Sequence, residues 1–223
     1  MIETIFAPLK ETMHVITSGL LIPTIIVLLL LLVLTLVELG GLVTETLIER
    51  RRKKVNVPEL VDVFQGRNNG EIKKKVEESQ LFRRQKAALY ELIRHESLPS
   101  ASLQALARRL LISEELYYAR ITGRTDLIAR LGPMFGLMGT LIPLGPGLMA
   151  LSQGDIGTLA ESLMIAFDTT VIGLASAGIA YFISRLRKRW YEDYLSSLEA
   201  LMDSLLEVFA RGRETEKQKA EAI

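Results

Sequence analysis

The chain contains no cysteine, which excludes disulfides and thiolate metal sites. Its two histidines, His14 and His95, stand alone outside the apolar segments, and no metal-ligand spacing occurs. A phosphate-cradling Gly-Lys-Ser/Thr loop is missing, so energy does not come from ATP bound to this chain. Gly154-Asp155 lacks the second positioned carboxylate that an intramembrane protease pair requires. These absences predict that the protein is not an enzyme and uses no cofactor and no metal. Internal repeats, expected of a small-solute carrier, are also absent. A formal net charge of +1 carries no information, because the asymmetry that matters runs along the chain.

What the chain has in quantity is apolar sequence. Hydrophobic residues make up 49% of its 223 positions, and its mean hydropathy is +0.26. They concentrate in three segments, 16–40, 131–151 and 162–184, separated by charged blocks. Roughly 20 residues suffice to cross a bilayer, and a buried helix of a soluble protein would be shorter and carry a polar stripe. The expectation is an all-α integral membrane protein with three transmembrane helices, a helical cytoplasmic domain and a long C-terminal helix.

Charge predicts the orientation. Of 27 Lys and Arg, only Lys10 precedes the first span. Eighteen lie between Arg50 and Arg130, none separates the second and third spans, and eight follow the third. Basic flanks stay in the cytoplasm. The predicted layout is an outer-face N-terminal segment (1–15), a first span (16–40) and a helical cytoplasmic domain (41–130). A second span (131–151), an outer hairpin (152–161), a third span (162–184) and a cytoplasmic amphipathic helix and tail (185–223) follow. The N-terminus is then outside and the C-terminus cytoplasmic. The first span is expected to be a membrane helix and not a cleaved leader: its apolar core is too long, and its basic cluster Arg50–Lys54 follows the core where a leader's precedes it. That cluster sets topology and contacts lipid; nucleic acid is not an expected partner.

Within the cytoplasmic block, Pro58 marks a helix start and Gly66-Arg-Asn-Asn-Gly70 a turn. Glu71 to His95 carries a helical period, Pro99 breaks it, and Ser100 to Arg130 is expected to run directly into the second span. Glu38 and Gly40-Gly41 are expected to close the first span. In the tail, Trp190, Tyr194, Leu198, Leu201, Leu205 and Val208 form one helical stripe, with the charged segment beyond Arg211 expected to fray.

The second span is rich in glycine and proline, including Gly132, Gly136 and Gly139 with Pro133, Pro143 and Pro146. Small residues three or four apart let helix backbones approach closely. The third span has its own small stripe at Thr169, Gly173, Ala177 and Ala180. It also carries Asp168, the only charge in its 23 residues. A carboxylate at that depth costs at least about 2.5–3.5 kcal/mol and marks an ion path or a buried partner. Thr140, Thr169 and Thr170 offer hydroxyls for the same path, or bond the carbonyl one turn back.

Gly136-Leu-Met-Gly139-Thr140 and Ala166-Phe-Asp-Thr169-Thr170-Val-Ile-Gly173-Leu174 resemble paired elements of the MotA/TolQ/ExbB proton channel family, and the three-span layout is similar to its TolQ and ExbB branch. The resemblance implies a homo-oligomer, most plausibly a pentamer, in the plasma (inner) membrane. Its second and third spans would line a pore around a single-span partner of the ExbD/TolR/MotB type. It also implies a proton-channel (stator-type) subunit that couples proton motive force to mechanical work. The competing reading is a non-conducting scaffold organising an envelope complex. Thr140 and Thr170 match the family's pore threonines, with Asp168 and Thr169 as further candidates on the proton path. Gly132, Gly136, Gly139, Gly173 and Ala177 are the packing candidates. Two positions depart from the family: its third-span glutamate falls on Ile165, and its proline after the Gly-Leu element is missing at Ala177-Gly178-Ile179.

Overall fold

The computed structural model describes residues 11–13, 15–48, 57–65 and 69–221. The N-terminal segment up to Lys10, the Arg50–Lys54 cluster and the first part of the predicted Gly66–Gly70 turn lie outside them. Among the described residues there is no strand. The helices used below are, in chain order, α1 (Leu21–Ile48), α2 (Val57–Gln65), α3 (Asn69–Glu78), α4 (Arg83–Arg94), α5 (Ser100–Ser152) and α6 (Ile156–Glu221). Among the described residues, three helices are long and apolar enough to cross a membrane, those containing α1, α5 and α6.

Two compact units emerge. One comprises the residues up to Glu45 with Thr122–Leu186; the other comprises Thr46–Ile121 with the residues from Arg187. The first is the membrane unit, dominated by lipid-compatible exposed side chains such as Leu29, Leu30, Leu137, Leu141, Phe167 and Val171. Its helices outlast their expected ends. α1 continues through Gly40-Gly41 to Ile48, because a helical glycine costs only about 1 kcal/mol relative to alanine. Thr44 Oγ1 donates to the carbonyls of Gly40 and Gly41 at 2.9 and 2.8 Å. α5 runs unbroken through Pro133, Pro143 and Pro146.

Within the predicted 152–161 hairpin the turn is Gln153–Asp155, and α6 begins at Ile156. Gly154 takes φ +80° there, a left-handed conformation that suits glycine at a helix C-terminus. Asp155 caps α6, accepting from Thr158 N–H at 3.1 Å and Thr158 Oγ1 at 2.5 Å. Those two bonds hold its carboxyl below the usual range.

The second unit is a helical bundle with a closed core. Phe64 of α2, Ile72 and Val76 of α3, and Leu89, Leu92 and Ile93 of α4 are buried together with Leu103 of α5 and Leu198, Leu201 and Leu205 of α6. The helical period expected over Glu71–His95 is split into α3 and α4. Leu81 explains the break: leaving the helix lets it turn into the core, where it is 2% exposed. The chain re-enters the helix when Gln85 Oε1 accepts the Phe82 N–H at 3.1 Å. The tail helix does not fray at Arg211; it continues to Glu221, and Arg213 Nη1 donates to Leu98 O at 2.6 Å.

One side of this bundle is an aromatic and charged clasp. Arg84 forms a two-pronged ion pair with Glu114, at 2.8 and 2.9 Å, and lies 3.6 Å from the Tyr117 ring centre. Tyr118 stacks on Tyr191 at 4.4 Å. Burial, aided by Glu114, pushes the Tyr118 hydroxyl up from 10.0 to about 12. A raised folded-state value means stability that is complete below pH 10 and is lost as pH climbs from 10 towards 12. The expected result is a melting temperature of the full chain, followed by circular dichroism, that falls across that window. Tyr118→Phe should flatten the fall. An unchanged slope would show that Tyr118 does not carry it.

Candidate functional site

The candidate site lies in the membrane unit, where α5 and α6 pack as an antiparallel pair. A Cβ added at Gly132 would meet Gly173 O at 2.6 Å and Ala177 Cβ at 2.9 Å. At Gly136 it would meet Thr169 O at 3.5 Å and Gly173 Cα at 3.6 Å, and at Gly139 Thr169 Cβ at 2.5 Å. Nearer the turn, Gly147 is closed by Ser162 at 2.9 Å. As positions ascend along α5, their partners descend along α6. Gly132, Gly136 and Gly173 are thus where the two backbones come closest, while Gly132 also takes the Ala177 methyl and Gly139 takes the Thr169 side chain. At so close an approach, dispersion and Cα–H···O contacts replace the hydrophobic driving force that lipid does not supply.

This register positions the hydroxyls. Thr169 faces Gly139 and is 5% exposed. Its Oγ1 donates within its own helix, 2.9 Å from Ile165 O and 3.0 Å from Ala166 O. Thr169 therefore fills the seam between the helices instead of flanking it. Thr140 and Thr170 are each one residue further on. Successive helical residues are about 100° apart, and the two helices run in opposite directions, so both steps turn towards the same flank of the pair. There the two threonines lie half-buried at one depth. Thr140 Oγ1 donates to Leu137 O at 2.7 Å and Thr170 Oγ1 to Ala166 O at 2.9 Å. Each hydroxyl thus satisfies its proton internally and keeps its lone pairs available.

Asp168 steps the other way. It is exposed, lies about 200° from Thr170 around α6, and makes no hydrogen bond or ion pair with the described residues. The structure brings Thr140 and Thr170 together and separates Asp168 from both.

α1 packs against the pair. Thr35 Oγ1 lies 3.5 Å from Ser176 O, and Leu31 belongs to a cluster with Ile128 and Ala180, joined by Leu131 and Phe135. Leu131 and Phe135 are about 180° and 140° around α5 from Thr140. The larger α5 side chains of this cluster therefore lie away from the Thr140 flank, with the small Ala129 on its side.

A second polar group escaped the sequence reading. Asp126 of α5 accepts a short hydrogen bond from Ser184 of α6, near the end of the pair remote from the Gln153–Asp155 turn. Thr122 and Thr125 are buried beside it, Thr125 Oγ1 donating to Thr122 O at 2.9 Å. Asp126 precedes the apolar run and reads in sequence as one more charge of a charged block. The overlooked signal was spacing, since Asp126 stands as far before Thr140 as Ser184 stands after Thr170.

A helical membrane protein whose long apolar helices meet on glycine and expose paired hydroxyls on one flank has the construction of a multi-span channel or transport subunit. The profile of the MotA/TolQ/ExbB proton channel family matches residues 74–200, more than half of the chain. The protein belongs to that family. No curated protein matches the chain.

Proposed function

We propose that the protein is the ring-forming subunit of a proton-driven complex, with the flank carrying Thr140 and Thr170 turned towards a central axis. A single-span partner bearing a membrane carboxylate would occupy that axis. The observation supporting this reading is the placement of two hydroxyls, at one depth, on one flank of the pair. A hydroxyl both donates and accepts, so it can relay a proton to and from a carboxylate without holding charge itself. Protons crossing there would move the ring relative to the partner. The electrical gradient supplies about 2.3 kcal/mol per charge per 100 mV.

In this arrangement the chain sits in the inner membrane as a homo-oligomer, most plausibly a pentamer. The basic flanks of 41–130 and 185–223 are cytoplasmic, and the Gln153–Asp155 turn is outside. The test uses the complex extracted from its native membrane through a tag on this chain and reconstituted into vesicles. Under an imposed potassium diffusion potential the vesicles should acidify, and native mass spectrometry should return five copies of the chain with a smaller partner. Intact assemblies without proton flux would favour the non-conducting scaffold.

Asp168 faces away from the threonine flank, towards a neighbouring copy or lipid. Asp168→Asn should accordingly leave flux within about twofold of wild type, a barrier change of about 0.4 kcal/mol. A loss as deep as that of a threonine variant would place Asp168 on the path after all.

A further inference from the structure

Asp126 and Ser184 join α5 and α6 near one end of the pair, and their positions repeat those of Thr140 and Thr170. Fourteen positions separate Asp126 from Thr140, and fourteen separate Thr170 from Ser184. Fourteen residues are close to four full helical turns, or about 21 Å of rise. Asp126 thus returns to the face of α5 that carries Thr140, and Ser184 to the face of α6 that carries Thr170. The two polar pairs stand in one column on one flank.

Between them the helices approach closely over small residues. Pro133 lies midway on α5 and Ala177 midway on α6, with Gly132, Gly136 and Gly173 alongside. Proline cannot donate to the carbonyl four residues back, here that of Ala129. Inside a membrane such a freed carbonyl is satisfied by a neighbouring group or by water. The column offers an acceptor to wet it; Leu174 and Tyr181 share its α6 flank, about 40° and 20° from Thr170, and both are exposed instead of packed into the seam. The column's inner end meets a carboxylate held in place by a hydroxyl.

We propose that Asp126 is the proton-accepting station at the inner mouth of the path, with Ser184 as the residue that positions its carboxylate. This rests on the reading that Thr140 and Thr170 line a proton path. A proton released at the threonine level travels along water over the glycine floor and protonates the Asp126 carboxylate. It then leaves to the aqueous phase, restoring the anion. Charged neighbours along these helices include the exposed Arg124 and Arg130 on α5 and Arg185 beside Ser184, and Arg187, one turn beyond Ser184 on α6, which is buried. The carboxylates of α1 are Glu38 and Glu45, both half-buried.

A latch between two helices is the rival role, and Asp126→Asn separates the two. The amide oxygen still accepts from Ser184, so that bond survives, while the titrating group is gone. In the reconstituted native complex, Asp126→Asn should lower proton flux about tenfold or more, Asp126→Glu should restore most of it, and Ser184→Ala should cost a few-fold. Wild-type flux in Asp126→Asn, with flux lost in Thr170→Val, would overturn the inner station and leave the threonine path standing. Full flux in both variants would instead remove the path itself.

Should Asp126→Asn fail to assemble, a water-soluble carbodiimide applied to the wild-type complex decides the question. Mass spectrometry should find the adduct on Asp126 in step with loss of flux. An adduct there with flux intact would overturn the proposal.

Discussion

Thr170→Val should cut proton flux through the reconstituted complex about tenfold or more, equivalent to at least about 1.4 kcal/mol on the barrier. Valine keeps the shape of threonine and removes only the hydroxyl. The Thr170 hydroxyl donates to Ala166 O, and that carbonyl is in any case engaged by the helix, so losing the donor leaves the fold intact. What disappears is the acceptor facing the flank. Thr140→Val, on the same flank and at the same depth, should behave alike. Thr169→Val is the internal control. Its hydroxyl is buried against Gly139 and turned back into its own helix, so flux should stay within about twofold, or about 0.4 kcal/mol. The measurement is acidification of vesicles holding an entrapped pH dye, normalised to assembled protein. Equal flux in all three variants would abandon the threonine path; loss only in Thr169→Val would move it into the seam.

Gly132→Val should be the most destructive single substitution in the membrane unit. Even a Cβ at this position would come within 2.6 Å of Gly173 O and 2.9 Å of Ala177 Cβ. The first obstacle is backbone, which cannot rotate aside, so α5 and α6 must separate. Overpacking of this kind costs about 1–3 kcal/mol or more. Lost close contact along the whole seam adds to it, because lipid gives no hydrophobic compensation. Gly139→Ala should follow, blocked by Thr169 Cβ and Oγ1, each at 2.5 Å. Gly212→Ala meets nothing within 4 Å and should be neutral or stabilising by up to about 1 kcal/mol. Thermal melting and the fraction of protein eluting as assembled complex in mild detergent report all three. A Gly132→Val protein with wild-type melting and assembly would refute the tight seam.

The two results together distinguish how the pair is built from what it carries. Glycines determine how near the helices come, and that distance determines which threonine is swallowed and which is presented. Widening the seam should therefore harm flux indirectly, through assembly, whereas the hydroxyl variants should harm flux alone.

Much of this was readable from residue order, for an identifiable reason. Membrane spans announce themselves through length and lack of charge, since a backbone in lipid must satisfy its own hydrogen bonds. The GLMGT-type and TTxxGL-type elements, at Gly136–Thr140 and Thr169–Leu174, carried the family resemblance because close packing admits few residue types. Helix ends were less legible. α1 passed Gly40-Gly41 and α5 passed three prolines, because a neighbour or local side chain such as Thr44 can offset what glycine or proline costs.

The division of labour among Thr169, Thr170 and Asp168 lay beyond the sequence. Adjacent residues of one helix differ by about 100° in direction, and only the partner helix decides which direction is seam and which is flank. Contact of Gly139 with Thr169 settled it, sending Thr170 one way and Asp168 the other. The Asp126–Ser184 bond joins residues 58 positions apart, and no local pattern ties such a pair. Composition and charge order determined that the chain is a three-span helical protein; the register of one antiparallel pair decided which of its polar groups share a face, because direction around a helix acquires meaning only against a neighbour.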